Sequence, residues 1–137
     1  MRWQGVRSPT LADFEQLAET AYEQLPQAFR EMAAGVVIRV EDFPATDVLD
    51  DLGIADELDL LGLYQGVSLD RKSVSDVSLS PDMVFLYRRP ILDYWAEHGD
   101  ETLDRIVTHV LVHEIGHHFG LSDADMTAIE TAAEAAR

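Results

Sequence analysis

Two histidines, a glutamate and an aspartate occur within one dodecapeptide, Val112-His113-Glu114-Ile115-Gly116-His117-His118-Phe119-Gly120-Leu121-Ser122-Asp123, which reads HExxHxxGxxD. On a helix, His113 and His117 fall four residues apart on one face, the spacing of two ligands to one tetrahedral metal ion. Glu114 is rotated off that line, where its carboxylate can take a proton from a metal-bound water instead of binding the metal. Gly120 can end the helix, and Asp123 can fold back as a third ligand. Three protein ligands and one open position are what a catalytic zinc site requires. The pattern therefore predicts Zn2+ on His113, His117 and Asp123, with Glu114 as general base. Because the same carboxylate can pass its proton to a departing amine, the natural reaction is peptide hydrolysis.

Each residue also has a plain structural use. Two histidines four apart can be mere polar groups of a helix, but Glu after the first and Gly-x-x-Asp after the second make chance a poor account. Glu114 could be an ordinary helix carboxylate. Asp123 and Asp125 both follow a helix-ending glycine, where an aspartate caps a following helix as well as it binds a metal. His109, one turn before His113, suits a partner that orients a ligand, or a polar residue flanking an apolar stripe. His118 points elsewhere on the helix, and His98 beside Gly99 reads as exposed. Tyr87 could donate to an oxyanion.

The elements that must position these groups follow from pattern and punctuation. Ser8-Pro9-Thr10 opens a helix with apolar residues at Leu11, Phe14, Ala18, Ala21 and Leu25, and Pro26 ends or kinks it. A short helix over Pro26 to Ala33 stops at Gly35, and Val36-Val37-Ile38-Arg39-Val40 reads as a strand. From Pro44 to Asp59 the acidic, weakly patterned chain predicts a loop with a helical turn, and its aspartates lack the glycine-centred spacing of a calcium loop. Leu61 to Val67 predicts a short strand and turn, the stretch from Asp70 to Ser80 a connector, and Asp82 to Arg88 another strand, with Pro90 starting a helix. Asp100 or Thr102 caps the helix carrying the histidines, whose Ile106 and Val110 continue their face as an apolar stripe. Ser122 to Asp125 caps a last helix running toward Arg137.

A chain of 137 residues, 47% hydrophobic, suits one domain over residues 1–137. With no cysteine, a zinc site must rest on nitrogen and oxygen, which favours a catalytic metal over a structural one. The formal charge of −16 repels phosphate backbones, so nucleic acid and anionic membranes are excluded as partners. Residues Met1 to Pro9 hold no apolar run of a leader or membrane span, and the cytoplasm is the expected compartment.

The chain resembles the minimal zincin-like metallopeptidase family of small bacterial domains. The likeness extends beyond the histidine helix to Leu25-Pro26-Gln27-Ala28-Phe29-Arg30, Leu61-Gly62-Leu63-Tyr64-Gln65-Gly66 and Leu86-Tyr87-Arg88-Arg89-Pro90-Ile91-Leu92. It implies an α+β fold, several helices packed on a small mixed β-sheet, with the HExxH segment on a long helix. It also implies zinc on His113, His117 and Asp123, Glu114 as base, and a peptide or unfolded protein as substrate. Asp82 to Arg88 is then the expected edge strand that pairs with an extended substrate. The metzincin methionine turn is missing, since Met126 falls in the last predicted helix. Two other functions stay open at this stage: an idle zinc-binding or protein-interaction domain, and a hydrolase of a non-peptide amide.

Overall fold

The computed structural model describes residues 8–66 and 82–136. The expectations for Met1 to Arg7, for Val67 and for Asp70 to Ser80 lie outside them.

Helix α1 (Leu11–Glu23) opens on a capping box: the Thr10 hydroxyl accepts the Asp13 amide, and the Asp13 carboxylate accepts that of Thr10. Phe14, Ala18, Ala21 and then Leu25 are buried as the stripe predicts, while Leu11, one turn earlier, is exposed. Pro26 caps α2 (Gln27–Met32), and Tyr22 pins the two helices by donating its hydroxyl to the Arg30 carbonyl. Strand β1 (Val37–Glu41) follows. The acidic segment holds more helix than expected: α3 (Thr46–Leu52), ended by Gly53 at φ 68°, and a 3-10 turn at Glu57–Asp59. No α3 residue is buried, so it left no apolar period to read.

Strands β2 (Gly62–Gln65) and β3 (Met83–Tyr87) complete a mixed sheet of order β1-β3-β2, with β1 parallel and β2 antiparallel to β3. This corrects one expectation: the Asp82 to Arg88 segment forms the central strand, bonded on both sides, and not an edge. Val84 and Leu86 are fully buried, and a strand this apolar belongs where neighbours cover it.

Helix α4 (Arg88–Glu97) starts directly at the end of β3, two residues before Pro90. Proline is tolerated there because first-turn amides have no partner within a helix. Arg88 fixes this corner, donating from Nε to Asp42 Oδ1 at 2.6 Å and from its guanidinium to the Pro9 carbonyl at 2.8 Å.

Helix α5 (Leu103–His118) carries the two motif histidines and packs against α1, α4, β2, β3 and α6 (Asp123–Ala135). Its β-branched residues are poor helix formers, each costing up to about 0.7 kcal/mol. Yet Ile106, Val107, Val112 and Ile115 are at most 2% exposed, and full burial contributes about 1.5–3 kcal/mol for each. Packing therefore decides that this segment is a helix. The result is an α+β arrangement of helices on a small sheet around one apolar core. Among the described residues no helix is long and apolar enough to cross a membrane.

Candidate metal centre and active-site cleft

The turn after α5 is set by Gly120 at φ 75°, whose amide donates to the His117 carbonyl while that of Leu121 reaches back to Gly116. This double closure is the left-handed glycine stop expected from the sequence. Ser122 then caps α6 with Asp125: the serine hydroxyl accepts the Asp125 amide and the Asp125 carboxylate accepts that of Ser122, both at 3.1 Å. Of the two competing aspartates, Asp125 takes the cap. Asp123 is left uncommitted to it, exposed in the first turn of α6.

Helix α6 lies close on α5 because Gly116 has no side chain; a Cβ there would stand 2.6 Å from Met126 Sδ. Met126 is fully buried within α6, so the methionine is helical, as the sequence predicts, and forms no turn. The close approach carries Glu130 of α6 to the histidines of α5. Its Oε1 lies 2.8 Å from His109 Nδ1 and its Oε2 lies 3.2 Å from His113 Nε2.

The rings of His113 and His117 stand 5.7 Å apart, centroid to centroid, and nearly perpendicular at 88°. Zn–N bonds of about 2.0–2.1 Å in a tetrahedron put two imidazole centroids roughly 5 Å apart; the pair has about that separation, while the His113 Nε2 is engaged by Glu130. The donors are nitrogen and carboxylate oxygen, as a zinc site without cysteine demands. The apolar stripe of Ile106 and Val110 does continue into His113, which is half-buried, but it fades at His117, which is exposed. Among the described residues, the trio whose ligand atoms all lie within 4.8 Å of one another is His109, His113 and Glu130; Asp123 and His117 are not part of it.

Glu114 sits beside His113 in a cleft of about 370 Å³ that Leu60, Leu61 and Gly62 also line. Burial pushes its carboxyl above the ordinary glutamate range, while the charge of His117 and a hydrogen bond from the Tyr64 backbone amide oppose that shift. The amide is available for a geometric reason. Leu61 accepts the Tyr87 N–H at 3.0 Å, so alternate residues of β2 face β3 while Gly62 and Tyr64 turn their backbone groups away from it. Gly62 also lets the strand touch the helix, since a Cβ there would meet Val110 Cγ1 at 2.5 Å.

The Tyr64 ring stacks on His118 at 3.9 Å and donates its hydroxyl to Asp82 at 3.0 Å; burial, then Asp82, raises its pKa. Tyr87 is in the core rather than lining the cleft. Burial and the charges of Glu41 and Glu114 push its phenol up to about 12, so it stays protonated beside Glu114. His98 is exposed, stacked on Tyr94.

Glu130 and the Tyr64 amide are the site groups that sequence reasoning passes over. His109 has a sequence signal, its four-residue spacing before His113 repeating that of His113 and His117. Glu130 has none, because its place depends on how closely two helices pack.

A family model described as zincin-like metallopeptidase matches residues 33–133, a span holding the whole sheet and α5. No curated protein matches the chain.

Proposed function

The chain belongs to the zincin-like metallopeptidase family, and we propose that it is a zinc-dependent peptidase in which Glu114 is the general base and His113, His117 and Asp123 hold the metal. The observation that carries this reading is the shared cleft, which His113, Glu114 and Gly62 of β2 line together. Zinc bound there supplies a Lewis acid that polarises a carbonyl and acidifies water. Glu114, held by the Tyr64 amide, accepts a proton from the attacking water and delivers it to the leaving amine. Its raised affinity for protons suits a group that must take one and release it near neutrality. Gly62 turns its amide and carbonyl outward, and an extended peptide can pair with them along β2, so the substrate is a short or unfolded peptide strand.

The test compares wild type with Glu114→Gln for metal content and for cleavage of a peptide library. Zinc in both, with cleavage falling about 100-fold or more in the variant, is the expected result. Loss of zinc from the variant would remove Glu114 from the role of base. Zinc in both with no cleavage by either protein would transfer the function to an idle metal-binding domain or to a non-peptide amide.

A further inference from the structure

On the side of His113 away from His117, the chain brings together a second set of metal donors. We propose that His109, His113 and Glu130 form a second position for a divalent transition-metal ion of the zinc class, sharing His113 with the motif pair. Glu130 bridges the two imidazoles with one oxygen to each, at 2.8 and 3.2 Å. Neighbouring ligand atoms of one tetrahedral zinc stand roughly 3.3 Å apart, and the ligand atoms of these three residues all lie within 4.8 Å of one another, so an ion need draw them only a little closer. The His109 and His113 rings are 4.0 Å apart and tilted by 34°, tighter than two ligands of one ion prefer. His109 is the exposed member, its side chain 57% accessible, so solvent rather than core borders its ring.

The position is reached from two sides. His109 lines both the cleft beside Glu114 and a smaller hollow of about 190 Å³ that Glu130 also lines. Glu101 also lines that hollow, where Glu134 is paired with Arg105, and the chain as a whole carries −16, which concentrates cations around it. Imidazole nitrogen with carboxylate oxygen favours zinc, nickel or copper over calcium or magnesium.

Because His113 belongs to both sets, an ion on His109 and Glu130 draws His113 away from His117. A second consequence rests on the peptidase reading: metal in this position idles the enzyme, and excess zinc suppresses cleavage. The site itself does not rest on that reading, and its test reads metal uptake alone.

Zn2+ is titrated calorimetrically into the whole chain as wild type, His117→Ala, His117→Ala/His109→Gln and His117→Ala/Glu130→Gln. His109 and His117 are exposed, so these changes leave the core intact. With His117 gone, the chain is expected to keep one zinc per molecule, and either second substitution to weaken that binding by at least about tenfold. His117→Ala binding no zinc, or all three variants binding it equally, would overturn the second position and leave His109 and Glu130 as an ordinary hydrogen-bonded pair. Absent peptide cleavage in a wild type that passes this titration would instead count against the peptidase reading alone.

Discussion

Strands β2 and β3 are paired neighbours of similar length, yet they serve opposite ends. Strand β3 spends its backbone on both sides, on β1 and β2, and buries Val84 and Leu86 completely. Strand β2 is bonded to β3 on one side, and its Gly62 and Tyr64 turn toward α5 and the cleft. The more strand-like sequence is the structural one. The glycine-bearing, less apolar strand is the one that meets the chemistry. Apolar continuity marks a strand that will be covered, and a small residue inside a strand marks a place where something must come close.

The largest effect that separates the strands is Leu86→Pro. Strand β3 exchanges hydrogen bonds with β2 through Met83, Phe85 and Tyr87, so the Leu86 amide faces β1. Proline deletes that bond in a fully buried central strand, where it is essentially never found; a thermal melt is expected to show a chain that is unfolded or barely folded. A well-folded variant with impaired peptide binding alone would return β3 to the edge. Gly62→Ala comes next. Its new methyl collides with Val110 Cγ1 and the Phe85 carbonyl, and overpacking of this kind costs about 1–3 kcal/mol. Urea denaturation should show that loss, with β2 pushed off α5 and peptide cleavage reduced beyond what stability explains. An unchanged urea midpoint would mean that the strand and helix are not held in close contact.

The same contrast explains what the sequence could disclose. Helix α5, the three strands and the glycine stops at Gly35 and Gly120 were legible because burial leaves a period and left-handed turns leave a glycine. Helix α3 was not, since it buries nothing. Which strand lies at the centre is not legible, because strand order is a property of pairing between distant segments, to which a local pattern is blind. That His113, Glu114 and His117 share one helix could be read from their spacing. Asp123 and Asp125 could not be told apart until the cap was seen to use Asp125. Glu130 reaches the histidines only through the contact of Gly116 with Met126, a link between two helices that no single stretch of sequence encodes.

The smallest predicted effect tests whether the β2 amide or burial governs Glu114. Burial is the larger influence and raises its pKa in the folded chain, with the Tyr64 amide and His117 only reducing the rise. A carboxyl that binds protons more tightly when folded contributes stability below its unfolded pKa of about 4.3, and loses it as pH rises through the folded value. Glutamine cannot titrate and keeps the same shape. In the metal-free protein, the melting temperature of Glu114→Gln relative to wild type is therefore expected to climb between pH 4 and pH 7. Taking the difference between the two proteins cancels the repulsion among the many other carboxylates of a chain with charge −16. A difference that shrinks over the same range would reverse the ranking: the outward amide of β2, together with His117, would then stabilise the charged carboxylate more than burial disfavours it, and β2 would set the protonation of Glu114 as well as its position.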